Sequence, residues 1–136
     1  MEPVTLLRSP GLVHSPAFSH VAVMPPGATT ILVGGRNGVD ADGALVGAGD
    51  VAAQVTQAVA NLRTALAAAG ATMADVVSWL VLVVQGADLQ AGAGAALAAL
   101  DPDRDPPVIT VARVAGLALP GALVEISVVA AVLPAW

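Results

Sequence analysis

The clearest pattern in the chain is a helical one between Asp50 and Gly70. Its large apolar residues recur at spacings of four, three and four positions: Val55, Val59, Leu62 and Leu66. Such spacing places them on one face of a helix. Asp50 can cap the first turn and Gly70 follows the last one, which is typical of the two ends of a helix. We therefore predict an amphipathic helix with one packed face and one wet face.

Short apolar runs bounded by proline and glycine predict strands. Before the helix these runs are Val4–Arg8, His20–Met24 and Thr30–Val33. After it they are Val76–Gln85, Val108–Val114 and Leu123–Val132. Pro25-Pro26-Gly27 predicts a turn between the second and third runs. Because Val76–Gln85 does not alternate with polar residues, we expect cover on both of its faces, one a helix and the other a neighbouring subunit.

A weaker helical pattern covers Asp88–Leu100, where Leu89, Ala93, Ala96 and Leu100 keep helical spacing. Two glycines within this segment each cost about 1 kcal/mol relative to alanine. Thr72-x-x-Asp75 has the form of a capping box for one helical turn. The predicted order of elements is β-β-β-α-β-α-β-β. With 136 residues and no repeat or linker, residues 1–136 are predicted to form a single domain.

Composition raises the question of how so much apolar surface is buried. Hydrophobic residues make up 57% of the chain and charged residues only 11%, with one Phe and two Trp. A lone monomer of this kind would expose large apolar patches, and burial between subunits removes them. The alternative is that alanine raises the hydropathy without forming patches. Composition alone leaves the two interpretations open.

The apolar content does not predict a membrane protein. A spanning helix needs about 20 consecutive apolar residues, and the sequence contains no such run. Residues 1–10 carry Glu2 and lack a basic region followed by an apolar one, so we expect no secretory signal. The predicted location is the cytoplasm, with no membrane partner.

Several chemistries are excluded by residue types that the chain lacks. It has no Cys, Lys or Tyr, which rules out disulfides, thiolate nucleophiles and lysine Schiff bases. Asp40-x-Asp42-Gly43 is not a calcium loop, because Val51 stands where the bidentate Glu is required. His14 and His20 have no partner at a telling spacing, and we predict no metal and no cofactor. A net charge of −5 disfavours nucleic acid as a partner.

Short motifs follow one another along nearly the whole chain. Up to the helix start they are Ser15-Pro16-Ala17-Phe18-Ser19-His20, Val33-Gly34-Gly35-Arg36-Asn37-Gly38-Val39-Asp40 and Gly49-Asp50-x-x-x-Gln54. Further on they are Asn61-Leu62, Ala68-Ala69-Gly70-Ala71-Thr72-x-x-Asp75-Val76-Val77, Pro107-x-x-Thr110 and Leu123-Val124-Glu125-Ile126. In this order the motifs resemble those of the RidA/YjgF family. Each motif is modest, and their succession carries the specificity.

The resemblance implies an α+β fold of the chorismate-mutase-like type, a mixed sheet with two helices on one face. It also implies a homotrimer whose sheets form an inner barrel, with ligand clefts between neighbouring subunits. The best-known members are deaminases that hydrolyse reactive enamines and imines, such as 2-aminoacrylate, to 2-oxo acids and ammonia. In these an arginine within a Pro-x-Arg-[ST] pattern binds the substrate carboxylate through two hydrogen bonds.

This sequence departs from the family at that arginine. The pattern here is Pro107-Val108-Ile109-Thr110, and isoleucine offers neither a charge nor a donor. We therefore predict that the protein is not an efficient 2-iminopropanoate deaminase. Arg36 is the candidate to replace the missing cation, and its alternative is a solvent-facing arginine paired with Asp40 or Asp42.

The resemblance also identifies the other residues of the cleft. Glu125 matches the acidic residue that helps to place the hydrolytic water, and the alternative is a structural hydrogen-bond anchor at the subunit interface. Phe18 matches the aromatic residue of the cleft wall, or else packs in the core. The predicted ligand-binding residues are Phe18, Gly35, Arg36, Ile109, Thr110 and Val111, with Glu125 as the catalytic residue.

Three hypotheses of function follow. The first is a homotrimer that binds a small molecule in its intersubunit clefts and hydrolyses a reactive enamine or imine with Glu125 and a water. The second is a non-catalytic ligand-binding or regulatory module on the same scaffold. The third, an endoribonuclease or translation inhibitor, is disfavoured by the negative net charge.

Overall fold

The computed structural model describes residues 3–134, so positions 1–2 and 135–136 lie outside it. Its strands are β1 (Thr5–Leu7), β2 (Val21–Val23), β3 (Thr29–Arg36), β4 (Val76–Val84), β5 (Val108–Val114) and β6 (Val124–Val132). Its helices are α1 (Val51–Ala68) and α2 (Leu89–Leu97), with a 3₁₀ turn at Met73–Asp75 between α1 and β4. The predicted α+β class and the predicted order of strands and helices are confirmed.

The helix α1 forms where the spacing predicts it. The Asp50 carboxylate accepts a hydrogen bond from the Ala53 N–H at 3.1 Å, and Gly70 ends the segment with a φ of +76°. The four apolar residues of the predicted face, Val55, Val59, Leu62 and Leu66, are at most 2% exposed. Among residues 3–134, neither α1 nor any other helix combines the length and apolarity needed to cross a membrane.

Four strands form a mixed sheet in the order β3-β6-β4-β5, and β1 and β2 form a separate antiparallel pair. Only β4 and β5 are parallel. The Pro25–Gly27 turn connects β2 to β3 as predicted, but these two strands pair in different sheets. A parallel bridge between Ser19 and Val108 attaches the segment before β2 to the start of β5.

The sheet has one covered face and one uncovered face. On β6 the residues Val124, Ile126, Val128 and Ala130 alternate with less buried ones and are at most 3% exposed. They pack into the core with α1, and we call this side the helix face. On the other side, the open face, Leu32 is 77% exposed and Leu80 is 41% exposed. The expected cover on both faces of β4 is therefore present on only one face within the chain.

Two predicted boundaries are wrong. The strand β3 continues through Gly34 and Gly35 to Arg36 instead of ending at Val33, because a bulge accommodates the glycines between two registered pairs with β6. The helix α2 ends at Leu97 rather than Leu100. Its buried residue is Gly92, whereas Ala93 of the predicted face is exposed.

Gln54 is a polar side chain within the core, 0% exposed. Its Nε2 donates to the carbonyls of Gly47 at 3.1 Å and Gly121 at 3.2 Å. Its Oε1 accepts from the Leu123 N–H at 2.8 Å. One amide therefore joins α1 to the loop before it and to the approach to β6, and it makes the hydrogen bonds that a buried amide requires.

Replacing Gln54 with leucine is predicted to lower the free energy of unfolding by about 2–4 kcal/mol, because three backbone groups lose their partner. Chemical denaturation measures the change. The matched control is Gln90→Leu on the exposed side of α2, which we expect to alter stability by less than about 0.5 kcal/mol. Equal effects of the two substitutions would contradict the role assigned to Gln54.

Candidate functional site

Glu125 and Gly35 are in direct contact. Glu125 lies opposite Leu82 of β4 and is partly buried on the open face. A Cβ placed on Gly35 would lie 2.5 Å from the Glu125 Cδ. The glutamate side chain therefore packs on the bare backbone of the bulge, which only glycine leaves free. The structure brings these two predicted residues together.

The Glu125 carboxylate is not engaged elsewhere in the chain. Within residues 3–134 it forms neither a side-chain hydrogen bond nor an ion pair, so the alternative of a structural anchor has no partner in the same chain. Its neighbour across the sheet is Leu82, which is apolar. A carboxylate held in this way can accept hydrogen bonds from a water or from a ligand.

Arg36 lies over the same bulge. Its Nε donates to the carbonyls of Gly34 at 3.1 Å and Gly35 at 2.9 Å. The pairing with Asp40 or Asp42 is not formed, because the Asp40 Oδ1 accepts from the N–H groups of Asp42 and Ala44. The strands β3 and β5 are the two edge strands of the four-stranded sheet. Three spacings between neighbouring strands, about 14 Å in all, therefore separate Arg36 from Ile109. Arg36 therefore cannot take the place of the missing arginine within one chain.

Ile109 and Val111 lie on the edge strand β5. They are in register with Trp79 and Val81 of β4, so they point to the helix face. Val111 is 49% exposed, because the helices do not cover this edge. Thr110, in register with Leu80, points to the open face. Alternation along one strand thus sends the three residues to two sides of the sheet.

Phe18 lies beside Ile109. Both residues line an open groove of about 610 Å³ that also includes Thr110 and Ser78. The Ser19 N–H donates to the Pro107 carbonyl at 3.1 Å, which fixes the position of Phe18 at the start of β5. The predicted aromatic wall residue therefore lies next to Ile109, the position at which the resemblance predicts an arginine.

The predicted site residues form two groups that one chain does not join. Gly35, Arg36 and Glu125 lie at the β3–β6 bulge, and Phe18, Ile109, Thr110 and Val111 lie at the β5 edge. Glu125 is in register with Leu82 and, through it, with Ala112. Ile109 lies on the second strand from β6 and three residues before Ala112, so it is about 14 Å from Glu125. Its side chain points to the opposite face of the sheet.

A cavity of about 180 Å³ lies between α2 and the helix face. The spacing of apolar residues in the sequence does not predict it. The helix α2 packs against α1, and a Cβ on Gly92 would already lie 3.4 Å from the Val51 Cγ2. Alanine and glycine on α2 are too short to fill the remaining space above the sheet. The cavity is open to solvent on one side, where Leu97 and Val111 of its lining are 46% and 49% exposed.

Trp79 lines this cavity and is 2% exposed. Its Nε1 is buried without a hydrogen-bond partner among the described residues. The N–H of a buried tryptophan usually forms a hydrogen bond, so a donor without one is unusual. The sequence feature that could have indicated this site is a single tryptophan within a run of Val and Leu.

Both ring nitrogens of His20 contact the backbone of the segment before β2. The His20 Nδ1 accepts from the Ser9 N–H at 2.8 Å, and its Nε2 lies 2.8 Å from the Val13 carbonyl. The first contact places the ring proton on Nε2, which then donates to Val13. Over residues 3–134 no group of three or more His, Asp or Glu side chains has the geometry to hold a metal ion.

Comparison with known proteins places the chain in a family. The sequence model of the family described as Endoribonuclease L-PSP matches residues 13–132. A crystal structure of the Rid-family protein YyfB from Yersinia pestis is 32% identical, with a TM-score of 0.84 over 95% of this chain and 98% of that one. The chain belongs to the Rid/YjgF family. The resemblance found in the sequence is confirmed.

Other solved structures agree with the Rid/YjgF assignment. A member of the YjgF/YER057c/UK114 family from Mycobacterium tuberculosis is 27% identical, with a TM-score of 0.63 over 96% of this chain and 100% of that one. RidA from an Antarctic Psychrobacter is 22% identical, with a TM-score of 0.68 over 97% of this chain and 100% of that one, and supports the fold alone. A comparison with curated proteins gave no significant match. The YyfB protein is itself described as of unknown function, so no activity follows from it.

In this Rid-family chain, Gly35→Ala is predicted to displace Glu125, because the added methyl occupies the space of its Cδ and Cγ. We expect a stability loss of about 1–3 kcal/mol by chemical denaturation. The matched control is Gly34→Ala, where the nearest atom to a new Cβ is 3.9 Å away, and the expected loss is smaller.

A double-mutant cycle with Glu125→Ala isolates the contact. In the Glu125→Ala background the cost of Gly35→Ala should largely vanish. An unchanged cost in that background would mean that backbone strain, and not the glutamate, is responsible.

Proposed function

We propose that this Rid-family protein is a homotrimer that binds a small, weakly charged molecule in clefts between its subunits and hydrolyses a reactive enamine or imine there. The observation that carries the proposal is the contact of an unpaired carboxylate, Glu125, with the bare backbone of Gly35. Family membership supports a small-molecule-binding or deaminase-like role. The apolar residue at position 109 supports the weak charge of the ligand.

The open face supports the oligomer. Leu32 and Leu80 are exposed there in a chain with few charges. The edge strand β5 is bridged by Ser19 only at Val108, and beyond that point its outer edge has no strand partner in residues 3–134. Exposed apolar faces and unpaired edges are surfaces that proteins usually cover. Association of copies covers both at once.

The separation of the two residue groups supports a shared cleft. Within one chain, Glu125 and Ile109 are on opposite faces of the sheet. If the β5 edge of one copy meets the β3–β6 bulge of the next, Phe18, Ile109 and Val111 face the partner's carboxylate. The cleft would then combine an apolar wall from one subunit with Glu125 from the other.

The chemistry needs one carboxylate and one water. Glu125 accepts a proton from a water as the water oxygen bonds to the imine carbon, giving a carbinolamine. For an imine that enters protonated on nitrogen, the same group returns the proton to the carbinolamine nitrogen. As the carbon–nitrogen bond breaks, the hydroxyl proton passes to the Glu125 carboxylate, a carbonyl compound and ammonia leave, and the ammonia takes up that proton as ammonium. An enamine enters this sequence after tautomerising to the imine.

The second candidate function is a ligand-binding module without turnover, and one observation favours it. Ile109 cannot bind the carboxylate of a small imino acid, and Arg36 is on the opposite edge of the same sheet. Without an anchor for the acid group, the imine carbon is not fixed beside the water. Binding of a different ligand needs no such alignment.

The charge distribution speaks against a ribonuclease role, whatever the family description. Arg8 lies 3.8 Å from Asp105 and Arg104 lies 3.5 Å from Asp101. The guanidinium groups of Arg36 and Arg113 donate to backbone carbonyls. The described surface therefore presents no cluster of free cations to bind phosphates.

Leu32→Glu is predicted to dissociate the oligomer, because it places a charge on the apolar open face. Light scattering coupled to gel filtration measures the mass, and we expect a trimer for the unmodified protein. Val13→Glu is the matched control, since Val13 is also 77% exposed but lies in a loop away from the sheet. A monomeric unmodified protein would overturn the proposed assembly.

Ile109→Arg is predicted to raise the release of ammonia from enzymatically generated 2-aminoacrylate by about tenfold or more, the value of a charged hydrogen bond. Ile109→Leu should leave the rate unchanged. Glu125→Gln should abolish turnover above the buffer rate in both backgrounds. If the unmodified protein and Ile109→Arg both give only the buffer rate, the hydrolase is excluded and the binding module is favoured.

A further inference from the structure

The cavity beneath α2 has walls of one chemical kind. Every residue that lines it is apolar, from Phe18 and Ile109 on the β5 side to Val55 of α1 and Ala96 of α2. Among the lining residues only Trp79 has a polar side-chain atom, and its Nε1 is buried without a partner among the described residues. Such walls give a charged group no compensation for lost water.

The size of the cavity matches a small ring compound. Its volume is about 180 Å³, and an engineered apolar cavity of about 150 Å³ in another protein stays dry and binds benzene or xenon. Phe18 and Ile109 line both this cavity and the open groove beside it. The cavity therefore lies directly behind the wall that replaces the family's carboxylate anchor.

We infer that this cavity is a binding subsite for a neutral hydrocarbon group of the ligand, an aromatic or alicyclic ring. The inference rests on the proposed function, because it names the class of ligand that the cleft takes. Where relatives hold an acid group, this protein holds a ring.

The test uses benzene as the probe and the indole N–H resonance of Trp79 as the reporter. The chain has two tryptophans, and Trp79→Phe assigns the signal. Added benzene is expected to shift the Trp79 resonance saturably, while benzoate, of similar shape but charged, is expected to leave it unchanged. A missing benzene response, or benzoate binding as tightly as benzene, would overturn the inference.

Ala96→Leu fills the cavity and should abolish the benzene response. Its control is Ala98→Leu, at the exposed position directly after the same helix, which does not line the cavity and should retain the response. If Ala96→Leu does not fold, crystals of the unmodified protein under xenon pressure decide the matter. Xenon between α2 and Trp79 supports the subsite, and an empty cavity refutes it.

These results separate the two proposals. Benzene binding is measured without turnover, so an inactive protein that binds benzene in this way leaves the subsite standing and removes the hydrolase. An active protein that does not bind benzene removes the subsite and leaves the hydrolase.

Discussion

The fold of this protein depends on a sheet with two apolar faces and helices for only one of them. The face of α1 formed by Val55, Val59, Leu62 and Leu66 closes the helix face, and these residues form the core together with the inward-facing residues of β4 and β6. The open face keeps Leu32 and the edge strand β5 without cover in residues 3–134. A Rid-family chain built in this way buries one face of its sheet and leaves the other as an exposed apolar surface.

The candidate site follows from that geometry. Because alternate residues of a strand point to opposite faces, Glu125 and Ile109 cannot share a pocket within the chain. The bulge at Gly34 and Gly35 adds the close contact that holds the glutamate against the backbone. Within residues 3–134 this carboxylate has no hydrogen-bond or ion-pair partner, which fits a role in binding a ligand or transferring a proton better than a role in stability.

Much of this could be predicted from the sequence. Helical spacing and capping residues predicted α1, and apolar runs predicted six strands in the observed order. Both signals depend only on residues that are close together in the sequence. The end of β3 could not be placed, since two glycines after a strand have the same local signature in a turn and in a bulge. The cavity was also missed, because it depends on how far α2 stands from a strand distant in sequence. Glu125 came from family resemblance, and its contact with Gly35 came only from the structure.

The three hydrogen bonds of Gln54 have a consequence for how such a protein can change over time. They hold the approach to β6, two residues before Glu125, without touching β5 or α2. These hydrogen bonds do not involve Ile109 or Val111, although Val124 and Ile126 on either side of Glu125 line the same cavity as those two residues. Substitutions at Ile109 can therefore accumulate without loss of the three bonds that fix the backbone before Glu125.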